Sequence, residues 1–259
     1  MLTAKHINYT IEGKVLLDDV SVAFEAGRLN LVIGPNGAGK STLIRILCSQ
    51  IQHDKGGDVF YGDKNAKTAS LSEMARIRSV LSQNIDLAFP LTVAEVVMMG
   101  RYPHFTGKPA ARDVSACEEA MHFFDLQELA GRNYLTLSGG EKQRVHFARV
   151  LSQVWYPVPG RCRYLVLDEP LTFLDVHYQF DFMHKLTALL KNKDLVVVGV
   201  VHDLNLAARF ADKIVLLHQG RVLADGDKEE VLTKENIKAA YRLEPVIRYE
   251  NNGMFLYFG

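Results

Sequence analysis

Apolar and polar positions alternate in short runs over residues 2–33. Lys5 to Tyr9, Val15 to Phe24 and Leu29 to Ile33 read as strands, with turn signals at Glu12-Gly13 and Ala26-Gly27. The pattern turns helical from Thr42 to Leu47, and Val59 to Tyr61 and Ile77 to Gln83 predict two further short strands. From about residue 84 to 160 the spacing is that of helices. Thr92 followed by Glu95 is a capping box opening a Val93–Met99 helix, Asp113 to Phe124 forms a second amphipathic helix, and Ser138 starts a third. Strand patterns return at Tyr164–Leu167 and Leu195–Val201, nearly continuous apolar runs that suit a sheet buried on both faces. Two hairpins follow: Ile214–Leu217 with Arg221–Ala224 around Gln219-Gly220, and Val246–Tyr249 with Met254–Phe258 around Asn252-Gly253.

Composition narrows this picture. The 259 residues suffice for one large domain with an embedded subdomain, and 48% hydrophobic with 23% charged residues is ordinary for a globular protein. Thirty basic residues balance thirty acidic ones and no Lys/Arg run stands out, so charge gives no reason to expect a nucleic-acid partner. Cys48, Cys117 and Cys162 are scattered and odd in number, which points to a reducing compartment rather than a disulfide framework. The first residues lack the apolar core of a signal peptide, and no run approaches the roughly 18 apolar residues of a membrane span. Any membrane role is therefore expected to be through a partner.

The chemistry begins at Gly34-Pro35-Asn36-Gly37-Ala38-Gly39-Lys40-Ser41-Thr42, a complete P-loop placed between an apolar strand and a helix. Its glycines let backbone N–H groups curl around an anion, and the helix N-terminus adds a favourable dipole. Lys40 is expected to reach the β- and γ-phosphates of ATP and the Ser41 hydroxyl to coordinate Mg²⁺. The strand Tyr164–Leu167 ends in Asp168-Glu169: Asp168 is placed to hold Mg²⁺ and Glu169 to polarise the attacking water as general base. His202 closes another strand and is a candidate for the γ-phosphate and for orienting water and base. Gln83 is a neutral ligand for Mg²⁺ or that water. These positions put the chemistry at the carboxyl ends of neighbouring strands, where open α/β sheets bind ligands.

A second phosphate device lies far along the chain. Ser138-Gly139-Gly140-Glu141 has capping-box spacing, and its two consecutive glycines are costly at a helix start unless a backbone or ligand approaches closely. The bare N–H groups of such a helix end attract phosphate.

The P-loop, Gln83, Leu137–Glu141, Asp168-Glu169, Leu174-Asp175 and His202, in that order, resemble the ATP-binding-cassette family over about residues 2–240. The resemblance implies an α/β fold: a P-loop ATPase core with mixed sheet, an N-terminal antiparallel β subdomain and an inserted α-helical subdomain. The expected layout is a single domain over 1–259, with the helical subdomain at about 84–160 and a C-terminal β-hairpin at about 245–259. It further implies a head-to-tail homodimer in which the Ser138-Gly139-Gly140 end of one subunit closes over ATP held by the other, and an aromatic in the first strand, here Tyr9, stacking on adenine. Two transmembrane permease subunits would be coupled through Gln83 and the helices after it, at the cytoplasmic face of the inner membrane.

Two stretches depart from the family pattern. Leu171-Thr172-Phe173 is bulkier than the small polar residues usual before Leu174-Asp175, and Trp155-Tyr156-Pro157-Val158-Pro159-Gly160-Arg161 lengthens the interval between Ser138 and Asp168. That extension is either a loop covered by its own Trp155 or a contact surface.

Thr92 to His104 is similar to ATPases of metal-chelate importers, which move iron-siderophore, haem or cobalamin. The Trp155 segment, Asp175–Gln179 and His202–Arg209 look most like the haem-importer branch. A periplasmic binding protein would then deliver the cargo. His104 and His177 are read as surface or partner-contact residues, not haem ligands. A soluble cassette ATPase serving iron–sulfur assembly is the reading from another class, and Thr92 to His104 argues against it.

Overall fold

The structure, a computed structural model, describes residues 1–54, 56–82, 87–172, 174–191, 193–250 and 253–259. Strands β1 (Leu2–Ile11) and β2 (Lys14–Phe24) form an antiparallel hairpin. Strand β3 (Leu29–Ile33) leads through the P-loop into helix α1 (Lys40–Leu47). Next come β4 (Asp58–Tyr61), β5 (Lys64–Asn65), helix α2 (Leu71–Ile77) and β6 (Arg78–Leu81). Three helices follow, α3 (Val93–Met98), α4 (Ala111–Phe123) and α5 (Gly139–Gln153). The chain then alternates β7 (Arg163–Leu167), α6 (Val176–Leu189), β8 (Leu195–Val200) and α7 (Leu204–Phe210). It ends in β9 (Lys213–His218), β10 (Arg221–Gly226), α8 (Lys228–Val231), α9 (Lys234–Tyr241) and a hairpin of β11 (Val246–Glu250) and β12 (Gly253–Tyr257).

Two main sheets organise these elements. One is antiparallel, in the order β2-β1-β4-β5, and the other is mixed, in the order β10-β9-β3-β8-β7-β6. In the mixed sheet β6, β7, β8, β3 and β9 run parallel and β10 closes the edge antiparallel to β9. All six residues of β8 are buried, because its side chains alternate between two cores. Leu195 and Val197 pack with the helices α3 to α9, whereas Val196, Val198 and Val200 pack with α1 and the antiparallel sheet. Each such Leu or Val contributes about 1.5–3 kcal/mol by leaving water, which is why this run reads as uninterrupted apolar sequence. The expected α/β architecture, with antiparallel β and helical parts around a mixed sheet, is the one observed.

Local expectations need correction in several places. Ile77 does not begin a strand but closes α2, where Met74 and Ile77 share the buried face and Ser70 is the N-cap, so the strand is only Arg78–Leu81. Gln83, placed at the end of that strand by the sequence reading, lies outside the described residues, as does Asn252 of the last turn. The second helix of the α3–α5 group starts two residues earlier than expected, because Asp113 at its N3 position accepts from the Ala110 backbone N–H at 3.0 Å. That group is locked by a buried ion pair: Arg101 lies 2.9 Å from Asp113 and donates to the Ser152 carbonyl at 2.8 Å, joining the 3-10 turn Met99–His104 to α4 and α5.

The extension after α5 lies against α4. Trp155 packs on Phe123 with ring centres 5.9 Å apart, and its indole N–H and the Tyr156 hydroxyl donate to the two oxygens of Glu119 at 2.5 and 2.6 Å. Among the described residues, no helix is long and apolar enough to cross a membrane.

Candidate functional site

The P-loop hangs from the carboxyl end of the central strand β3. Gly34 has φ 149°, and a Cβ there would lie 2.3 Å from the Leu217 carbonyl oxygen on neighbouring β9. Gly39 has φ 103°, and its Cβ would meet Leu17 Cδ2 at 2.7 Å and the Leu16 carbonyl at 2.8 Å. The first and last glycines are thus fixed by close approach of two different sheets, while Asn36 and Gly37 between them are exposed. Tyr9 is half-buried on β1 directly opposite Leu17, so it faces the same side of the hairpin as the residue that touches Gly39.

Lys40 opens α1 with its ammonium folded into the loop, donating to the carbonyls of Gly34 at 2.7 Å and Pro35 at 3.0 Å. Burial holds this amine below its ordinary pKa, and the charges of Glu169 and Asp168 oppose that shift. Ser41, the next residue, donates from its hydroxyl to Asp168 Oδ1 at 3.4 Å, joining the start of α1 to the end of β7. Asp168 is 5% exposed. Burial raises its pKa, the Glu169 charge adds to the effect, and Arg45, the Ser41 hydrogen bond and Lys40 pull the other way. Thr42 is half-buried in the same turn.

Glu169 occupies the left-handed region at φ 51°, uncommon for a residue with a side chain. Its Oε1 lies 2.7 Å from His202 Nε2, which arrives from the end of β8. Asp203 caps α7 through the backbone N–H groups of Asn205 and Leu206 and so fixes the turn that presents His202. The fold therefore brings Lys40, Ser41, Asp168, Glu169 and His202 to one edge of the mixed sheet.

Ser138 and Glu141 form their capping box at the start of α5. The Glu141 backbone N–H donates to Ser138 Oγ at 3.3 Å, and the Ser138 N–H donates to Glu141 Oε2 at 2.7 Å. Hydrogen bonds from the Ser138 backbone N–H and side chain hold the Glu141 carboxyl below its usual pKa. Gly139 is exposed, a Cβ on it would meet nothing within 4 Å, and Gly140 follows half-buried. Among the described residues neither Ser138 nor Glu141 bonds to any P-loop residue: the second helix end faces outward rather than into the first site.

Other contacts carry no motif and escape a sequence reading. Thr172 donates from its backbone and hydroxyl to the Glu169 carbonyl, Gln143 donates to the Pro170 carbonyl, and Gln179 donates to the Leu174 carbonyl. All act on main-chain oxygens, which accept from many residue types, so spacing alone does not reveal them. The Asp203 cap was not read either, although an Asp just before the apolar turn Leu204-Asn205-Leu206 is a local signal that could have found it.

Oxygen donors at Ser41 and Asp168 fit Mg²⁺, a hard cation that takes one or two protein oxygens and completes its shell with water and substrate phosphates. Among the described residues there is no cluster of three or more His, Cys, Asp and Glu side chains of the kind an all-protein metal cage needs.

The family model described as ABC transporter matches residues 17–172. The hemin import ATP-binding protein HmuV of Escherichia coli O157:H7 is 41% identical over 93% of this chain and 92% of its own length. The proteins of the same name from Gloeobacter violaceus and Bordetella avium are 43% and 42% identical over 95% and 94% of this chain, and 89% and 92% of their own. Among solved structures, a metal-chelate type ABC transporter in an inward-facing conformation shares the fold, with TM-score 0.81 and 24% identity over all of this chain and 96% of that one. A bacterial ABC transporter cassette solved as a dimer gives TM-score 0.76 at 25% identity over 88% of this chain and 99% of its own. With the family model spanning more than half the chain and relatives above two-fifths identity over nearly all of it, the chain belongs to the ABC transporter family, as one of its ATP-hydrolysing cassettes.

Proposed function

We propose that this chain energises the uptake of haem across the inner membrane, as a homodimer of cassettes at the cytoplasmic face bound to two transmembrane permease subunits, with a periplasmic binding protein delivering the cargo. The observation that carries the reading is the meeting of the P-loop, Asp168-Glu169 and His202 at one sheet edge while the Ser138 helix end faces outward. A chain with half of each of two sites needs a second copy to complete them. The names of the relatives supply the cargo.

In this reading the 34–42 loop wraps the phosphates with its backbone N–H groups, Lys40 leaves its carbonyls for the β- and γ-phosphate oxygens, and Tyr9 stacks on adenine. Ser41 and Asp168 would hold Mg²⁺, with Gln83 as a further ligand. When bound, the ion offsets charge that develops on the phosphates. Glu169 takes a proton from the attacking water, and His202, at hydrogen-bond distance, keeps the carboxylate aimed and contacts the γ-phosphate. Ser138, Gly139, Gly140 and Glu141 of one copy supply N–H groups and dipole to the γ-phosphate held by the other. The whole chain acts as one cassette, with the α3–α5 region passing closure to the permease.

The cassette need never touch haem. Purified subunit alone is expected to show no stoichiometric haem binding and no haem-stimulated ATPase. The complex reconstituted in lipid with its binding protein is expected to take up haem only with ATP. Uptake of ferric siderophore or cobalamin but not haem would overturn the cargo and leave the importer standing, and a purification that never retains a membrane protein would overturn both.

A further inference from the structure

Helix α5 carries the outward helix end at Ser138–Gly140, yet its second turn also grips the chain just after Glu169. The Gln143 side-chain amide donates to the Pro170 carbonyl at 2.8 Å, and the Arg144 guanidinium lies over the Tyr178 ring, 5.0 Å from its centre. From the other side Gln179 of α6 donates to the Leu174 carbonyl at 3.0 Å. Pro170 is thus held from α5 and Leu174 from α6. Glu169 itself sits at φ 51°, a backbone conformation that costs about 1–3 kcal/mol in a side-chain-bearing residue and persists only where its surroundings over-determine it. Its carbonyl accepts from the Thr172 backbone N–H at 3.4 Å and hydroxyl at 3.1 Å, and the next carbonyl, of Pro170, is the one Gln143 holds.

We propose that Gln143 is a positioning residue that links the two ATP sites of the dimer: it transmits displacement of the Ser138–Gly140 end of α5 to the peptide that follows Glu169. This rests on the head-to-tail dimer above. In that dimer the α5 end of a chain senses the nucleotide of its partner, while Glu169 of the same chain serves its own nucleotide. An α-helix moves as a stiff rod, so a shift of its end reaches Gln143, four residues in, undiminished. Among the described residues, the Gln143 amide is the side chain of α5 hydrogen-bonded to the residue after the base. Hydrolysis at one site is then sensitive to occupancy of the other, through two-point support of a residue that does not hold its conformation unaided.

The test uses full-length protein and four readouts: ATP affinity, dimer formation with a non-hydrolysable ATP analogue, the kcat and KM of ATP hydrolysis, and its Hill coefficient. Gln143→Leu removes the donor at similar volume. Gln143→Glu turns a carboxylate against the Pro170 carbonyl, and Gln143→Lys restores an N–H donor. Expected is a fall in kcat of about tenfold in Gln143→Leu with KM within about twofold, the pattern of support lost in the transition state only. A larger fall is expected in Gln143→Glu and recovery in Gln143→Lys, and in the two impaired variants the Hill coefficient drops toward one while analogue-induced dimers still form. Unchanged kcat and Hill coefficient in both Leu and Glu variants would overturn the link. So would a fall that merely tracks lost thermal stability and is not recovered by Lys. A wild type that forms no dimer with the analogue would remove the head-to-tail reading itself, a separate and distinguishable failure.

Discussion

At the scale of single residues, burial opposes the charge of two groups in the site, Lys40 and Asp168. Lys40 is buried among its own loop's carbonyls, so removing it takes away the one point charge the loop offers to the phosphates. Lys40→Ala is expected to abolish ATP binding measured by titration calorimetry, and retained affinity would contradict the cradle. Glu169→Gln keeps the shape and loses the base. Turnover is expected to fall on the order of 10²–10⁴-fold, the scale of general-base catalysis, while ATP still binds and sandwiched dimers accumulate in sedimentation. A third residue acts on stability alone. His146 of α5 is 4% exposed, hydrogen-bonds through Nε2 to the Tyr134 hydroxyl at 2.7 Å, and has no partner at Nδ1 among the described residues. Burial, helped by the charges of Arg149 and Lys142, lowers its pKa from 6.5 to about 4. The unfolded chain therefore binds the proton more readily, so the contribution of neutral His146 is complete above pH 6.5 and lost as pH falls toward about 4. It amounts to something on the order of 3 kcal/mol. Urea unfolding between pH 7.5 and 4 is expected to give a shallower pH dependence for His146→Leu than for wild type, and parallel curves would exclude the assignment.

Elements show where sequence patterning suffices and where it does not. The capping boxes at Thr92/Glu95 and Ser138/Glu141 were readable because one side chain reaches one backbone group at fixed spacing. The β3, β7 and β8 runs were readable because both faces are buried. Helix α2 was not read, although Leu71, Met74 and Ile77 recur at threes behind Ser70, because Ile77 also opens an apolar run with Val80 and Leu81. Helix α6 was missed as well: Phe182, Met183 and Leu186 are its buried face, but aromatic and β-branched residues at its start suggest strand. The P-loop, the acidic pair and His202 were legible as motifs, whereas the Gln143 and Thr172 supports depend on a tertiary approach that no local spacing encodes. Two substitutions probe α5. Gly139→Phe enters open space and is expected to fold and bind ATP normally but not hydrolyse it, since the helix end could no longer close on the partner's nucleotide. Normal hydrolysis by that variant alone would rule out closure in trans. Gly100→Ala is expected to lower the melting temperature, because its Cβ would lie 2.0 Å from the Arg149 carbonyl oxygen, an overlap of the kind that costs about 1–3 kcal/mol.

For the whole molecule, the strand order has a consequence in time. Strand β3, which carries the P-loop, is flanked in the mixed sheet by β8 and β9, more than 160 residues later in the chain. A growing polypeptide therefore emerges with Leu29 to Ile33 unpaired on both edges, and neither neighbour exists until the ribosome has passed residues 200 and 218. At about 5–20 residues per second that interval is roughly ten to forty seconds, during which an apolar strand stands open to wrong partners. The nucleotide loop, among the first features to be synthesised, is among the last to be assembled. Chains released before β8 hold every residue of the phosphate cradle and lack both strands that flank β3.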